Sequence, residues 1–388
     1  MKTIISKRFW FISFTFILIS LFSIASLVIS QTNVRTEIKI PDIPDYKTLK
    51  CDFHMHTVFS DGSVWPTVRV EEAWREGLDA ISITEHIEYL PHKKDIPLTD
   101  HNRSYEIAKP RADELSLILI KGAEITRDMP PGHFNAIFLN DINPLDTEDW
   151  RDAFKAANEQ GAFVFWNHPG WRQVDEIPIW YDEHTELFEK GWFQGIEIVN
   201  YYSYYPKAFQ WALEKSLTLM GNSDVHPPIQ MDFNLAYSQH RPMTIVFARE
   251  KSEQSIKEAL LARRTVIYHN KLLMGEEKFL KPIFERSIEI LNANVSIKGA
   301  GTTKIQIRNR SDLIFQLDAE TEIKEISVPQ EIEFFPDKTI LLQIKGKSKS
   351  LSGTKQFSIP FIVKNLLIAP GKGLPMALNI EVTFVPEP

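Results

Sequence analysis

The chain has 388 residues, a formal charge of -7 and 43% hydrophobic residues, the composition of a folded globular protein of about two domains. A single cysteine, Cys51, excludes an internal disulfide framework and a thiolate-rich zinc site, so any metal is held by imidazole and carboxylate. An acidic chain without Lys/Arg clusters is not built to grip long nucleic acid, which requires phosphate neutralisation; small anionic substrates stay open to a local group of cations.

Residues 1–30 read as a targeting segment. Lys2, Lys7 and Arg8 precede an apolar run from Phe9 to Ile29, and Val28 and Ser30 sit at the small-residue positions of a cleavage site. The run is also long enough to span a bilayer as an uncleaved anchor. Either way the remainder is expected outside the cytoplasm, periplasmic or extracellular, touching membrane only through that segment. Removing it takes away three basic residues and no acidic one, leaving a formal charge of -10.

From Leu49 to His269, short apolar runs alternate with amphipathic stretches. Strands are predicted at 49–53, 78–84, 117–123, 135–139, 162–166, 195–199, 217–221 and 243–248, and helices at 70–77, 150–161 and 252–263. This alternation predicts parallel strands with helical crossovers, closed into a barrel. A helical connector is predicted over 272–287. Beyond it, eight β-patterned runs follow without helices, which predicts an immunoglobulin-like sandwich over 287–388.

Histidines and acids gather where strands end. His54 and His56 form H-x-H, which in extended backbone aims both imidazoles to one side. Asp61 lies in S-D-G, Glu85 and His86 in T-E-H, and Glu124 in G-A-E. His133 opens the fourth strand, His168 sits in N-H-P, and Asp224 and His226 form D-x-H. Strand exits are where parallel barrels build active sites. Leaving Glu85 aside, nine N/O donors exceed one ion and suffice for two or three divalent ions, Zn, Mn or Fe. His184 and His240 read as surface or structural.

These motifs, in this order, resemble the PHP (polymerase and histidinol phosphatase) superfamily across about residues 48–270. The resemblance implies a distorted (β/α)7 barrel at 38–286 with three metal sites. The first would use His54, His56, Glu124 and Asp224, the second Asp61, His86 and His226, and the third Glu124, His133 and His168. Glu85 departs from the commoner Asp, which leaves its orienting role in doubt. The expected activity is hydrolysis of small phosphorylated substrates, nucleotides or sugar phosphates, by a metal-bound hydroxide. Amidohydrolases of C–N or carboxylic ester bonds are the alternative, although their metal-bridging lysine is replaced here by Glu124. Arg172 and then Arg127 are candidates to hold phosphate, and His101 to protonate the leaving group. Tyr201, Tyr202, Tyr204 and Tyr205, with Trp166, Trp171 and Trp180, either stack on the substrate or pack the rim.

Overall fold

A computed structural model describes residues 34–387 apart from 98, 234–238 and 320–322. The predicted leader lies outside the described residues. No helix among them is long and apolar enough to cross a membrane.

Seven strands form the barrel: β1 (Lys47–Asp52), β2 (Ala80–Ile83), β3 (Ile118–Ile125), β4 (Phe134–Ile137), β5 (Phe163–Trp166), β6 (Gly195–Asn200) and, after the two-residue β7 (Ser203–Tyr204), β8 (Thr218–Asn222). They pair in the order β1-β2-β3-β4-β5-β6-β8. The ring closes at one end, where Met55 bridges Val225 in parallel and Asp224 N donates to His54 O at 2.8 Å. Helices α1 (Pro66–Arg75), α2 (Arg103–Glu114), α3 (Trp150–Glu159), α4 (Asp182–Glu189) and α5 (Pro206–Lys215) fall between strands. Pro66 and Pro206 start their helices at positions that need no N–H donor, and the Asp149 side chain caps α3 by accepting from Arg151 N.

The sheet departs from the predicted all-parallel order in one barrel strand. β4 is antiparallel to both β3 and β5. Only residues 126–133 separate β3 from β4, too few for a parallel crossover, so the chain reverses. The reversal puts the start of β4 at the rim where the other strands end. The predicted eighth strand, β9 (Met243–Ala248), also runs antiparallel, against Lys47–Cys51 of β1.

β9 leads through α6 (Glu253–Leu261) to β10 (Thr265–His269) and β11 (Leu272–Gly275). Leu272–Gly275 therefore correct the predicted connector: they are strand, and only α7 (Glu277–Ser287) is helical. The short hairpin β10-β11 satisfies these backbone groups before the helix begins.

The C-terminal region is a sandwich of β12 (Ile288–Ile290), β13 (Asn294–Lys298), β14 (Thr302–Asn309), β15 (Phe315–Ala319), β16 (Ile326–Ser327), β17 (Glu331–Phe334), β18 (Thr339–Gly346), β19 (Gly353–Ala369) and β20 (Lys372–Val385). One face is β12-β14-β18-β16; the other holds β13, β20, β19, β15 and β17. The second halves of β14 and β18 alternate exposed and buried residues, the period of a strand with one face on a core. β19 also pairs in parallel with β11, Leu273 opposite Leu366. The sheet thus runs from barrel to sandwich, and α7 packs across the junction with Phe279 near Phe247 and Phe284 near Phe315.

Candidate metal centre

The sequence around β1 dictates the first part of the site. After Asp52 the chain stays extended, so His54 and His56 point the same way into the rim and are fully buried. The following turn doubles back on itself: a Cβ on Gly62 would lie 2.6 Å from the His56 carbonyl, which requires glycine and brings Asp61 over His56. Glu85 fixes this turn, accepting from Thr57 N at 3.1 Å and from the Thr57 and Ser60 hydroxyls.

Glu124 ends β3 at the centre of the cluster. Its Oε2 lies 3.6 Å from His54 Nε2, 3.4 Å from His56 Nε2 and 2.8 Å from His86 Nδ1. Its Oε1 faces His133 Nδ1 at 3.0 Å and His168 Nε2 at 3.5 Å. Asp224 Oδ1 lies 3.1 Å from both His54 Nε2 and His56 Nε2. Asp61 lies 3.4 Å from His86 Nε2 and 3.1 Å from His226 Nε2. All nine residues of the expected ligand set therefore meet at one rim. They form overlapping groups: His54/His56/Asp224, His54/Glu124/His168, His86/Glu124/His133 and His56/Asp61/His86/His226.

These donors suit divalent ions. His54 Nε2, His56 Nε2, Asp61 Oδ1, Glu124 Oε2 and Asp224 Oδ1 are buried without a hydrogen-bond partner, a costly condition unless something else satisfies them. The 3.1 Å from Asp224 Oδ1 to each of His54 Nε2 and His56 Nε2 is close to the roughly 3.4 Å expected between ligands about 2.1 Å from one tetrahedral ion.

The protonation pattern agrees. Burial alone would lower His54, but the Asp224, Glu197 and Glu124 carboxylates outweigh it and raise the imidazole well above its usual value. Burial would raise Glu124, yet His86, His54 and His133 hold it well below the carboxylate range. His56 is pushed down to about 3 by burial and by the facing His86 and His226. In this arrangement protons occupy positions that a cation would take, and binding an ion releases them.

Three supporting groups escaped the sequence reading. Glu197, fully buried in β6, accepts from Asn222 Nδ2 at 2.9 Å and from His168 N at 2.7 Å, and lies 2.9 Å from His54 Nδ1. It fixes the ring whose other nitrogen faces Asp224 and Glu124. An acid between isoleucines in a strand was the available signal. Arg69, fully buried in α1, donates to the carbonyls of His56 (2.8 Å), Pro227 (2.9 Å), Val225 (3.1 Å) and His226 (2.6 Å), and pairs with Glu72. It ties the H-x-H turn to the D-x-H turn. Asp52 accepts from Ser223 N and pairs with the buried Arg241 at 2.9 Å, holding the residue beside Asp224.

The substrate candidates separate. Arg172 lines the cleft above the cluster, its guanidinium 4.2 Å from the Trp171 ring centre, with a left-handed backbone (φ 56°). The turn before it is tight: a Cβ on Gly170 would collide with the Glu176 carbonyl. Arg127 also lines the cleft, but its Nε meets Glu88 at 2.7 Å and its other nitrogens donate to the Thr147 and Glu148 carbonyls. These contacts tie Arg127 to the loop at residues 147–148. His101 is not among the described residues lining the cleft; it faces Asp146 at 3.5 Å, whereas a leaving-group acid has to reach the reacting oxygen.

Trp171, Tyr201 and Tyr205 line the cleft. Trp166 is fully buried and stacks on His184, and Trp180 packs against Trp211. Tyr204 packs with the core and Tyr202 donates to Asp232 O. His184 is structural and buried, with Nε2 2.7 Å from Pro131 O; His240 stacks on Tyr268.

Comparison with known proteins places the chain beside solved structures. The chain is 47% identical to a two-domain protein from Bacteroides vulgatus whose crystal structure contains a predicted PHP-like metal-dependent phosphoesterase; the match covers 89% of this chain and 99% of that one, with a TM-score of 0.84. A putative metal-dependent phosphoesterase from Bifidobacterium adolescentis is 16% identical over 55% of this chain and 96% of its own, with a TM-score of 0.39. The Ig-like domain family DUF5001 matches residues 288–379. No match is found among curated proteins.

Proposed function

The chain belongs to the two-domain PHP-like metal-dependent phosphoesterases, and from that premise we propose that it hydrolyses small phosphorylated substrates with two or three divalent ions held by the nine rim residues. The observation that carries this is the set of buried, partnerless donor atoms on His54, His56, Asp61, Glu124 and Asp224. When bound, divalent ions neutralise phosphoryl oxygens and lower the pKa of water towards neutrality.

The chain's own residues supply the rest. Glu124 presents both oxygens, one to His54, His56 and His86 and the other to His133 and His168. Glu197 fixes His54, and Arg69 sets the spacing of His56 and His226. Arg172 offers a phosphate-binding cation at the cleft wall, steadied by the Trp171 ring. Among the described residues lining the cleft there is no serine–histidine or cysteine–histidine pair for covalent catalysis. The apolar leader supports action outside the cytoplasm.

The test is metal analysis of purified protein alongside assays with p-nitrophenyl phosphate and bis(p-nitrophenyl) phosphate. Hydrolysis of at least one is expected, with loss of about 10²–10³-fold in kcat for Glu124→Gln. A fully loaded protein that hydrolyses neither overturns the reading.

A further inference from the structure

The cleft above the cluster has a volume of about 720 Å³. Besides metal-ligand candidates, the charged described residues lining it are Arg127, Arg172, Glu88, Asp128 and Glu176. Arg127 pairs with Glu88, and their remaining polar atoms meet backbone: Glu88 Oε2 accepts from Thr126 N at 2.7 Å. Outside that pair the charged lining residues are one cation, Arg172, and two carboxylates, Asp128 and Glu176. The Arg172 side chain is 63% exposed and Asp128 faces it at 3.3 Å. Glu176 accepts from Ser203 Oγ at 3.0 Å.

One phosphate directed at the cluster can meet Arg172. A second phosphate on the same molecule would meet Asp128 and Glu176 with no further exposed cation among the lining residues, and like charges in a cleft repel. The uncharged wall combines aromatic rings, with Trp171 4.3 Å from the His133 ring, and Tyr201 and Tyr205, with the polar Thr126, Asn200 and Ser203. Aromatic faces beside carboxylate acceptors suit a ring bearing hydroxyl groups.

Resting on the phosphoesterase reading, we infer that the cleft selects substrates with a single phosphate on a neutral, hydroxylated ring and rejects bisphosphates. Glu176 and Asp128 are the specificity-determining residues.

The test measures affinity and turnover separately. Mn²⁺-loaded full-length chain is titrated calorimetrically at low ionic strength with the non-hydrolysable methylene phosphonate analogue of glucose 6-phosphate. The same analogue carrying a second phosphonate at C1 is the comparison. The single phosphonate should bind at least about tenfold more tightly, and Glu176→Lys should bring the ratio near one. Equal or tighter binding of the bisphosphonate overturns the inference, as does binding of neither, or a Glu176→Lys ratio unchanged from the parent. Turnover of p-nitrophenyl phosphate by the same sample scores the phosphoesterase reading. Its failure with the affinity ratio intact would sink that reading and leave the charge selection standing.

Discussion

At the rim of the barrel the fully buried side chains include His54, His56, Glu124, Glu197 and Arg69, whereas in the sandwich they are Ile305, Phe315, Phe361, Val363 and Val382. The sandwich removes apolar surface from water, which stabilises the fold directly. The rim removes charge and hydrogen-bonding groups from water, which costs free energy unless every one is matched. Arg69, Asp52, Glu85 and Glu197 do most of that matching, and the ligand atoms are what remains. The sandwich core therefore adds stability directly, and the rim holds a binding capacity.

The sharpest way to break this contrast is a pair of substitutions of similar cost. Phe361→Ala should destabilise by about 3–5 kcal/mol through the cavity it leaves, with the number of ions bound per folded chain unchanged. Arg69→Met leaves Glu72 without its partner and should also cost about 3–5 kcal/mol, but with fewer ions bound. Denaturation monitored beside metal analysis checks both. Equal metal content in the two variants would abolish the distinction.

A milder change sharpens it. Glu197→Gln keeps the shape of the β6 side chain while weakening its hold on His54 Nδ1, and should lower metal affinity by about 10–100-fold. Competition with a chelator reads this, and an unchanged affinity would leave Glu197 a structural acid only.

The smallest expected effect tests a histidine outside the cluster. Burial pushes the His184 imidazole down to about 4. The unfolded chain, near 6.5, takes up that proton first, so the contribution is complete above pH 6.5 and is lost as pH falls towards 4. At pH 5.5 the loss is about 1.4 kcal/mol. Acid unfolding of His184→Gln should be correspondingly less steep between those limits, and identical profiles would refute the assignment.

Much of this was legible beforehand, because ligand chemistry leaves paired motifs at strand ends. H-x-H, T-E-H and D-x-H each set a donor by local backbone direction alone. Glu197 was only half legible: an acid between isoleucines in a strand points to burial, but its partner His54 is 143 residues away and no local pattern names it. Arg127 and Arg172 look alike in sequence, each a few residues past a ligand. Only the Thr147 and Glu148 carbonyls, brought close by the fold, separate them.

The sequence by itself determined the residue types, the order of elements and the rim position of the donors, since these follow from side-chain chemistry and periodicity along a short stretch. Tertiary structure alone decided the reversal of β4, the pairing of β11 with β19, and which cation faces the cleft. Those outcomes depend on hydrogen-bond partners contributed by distant segments, and no local pattern encodes which distant segment arrives.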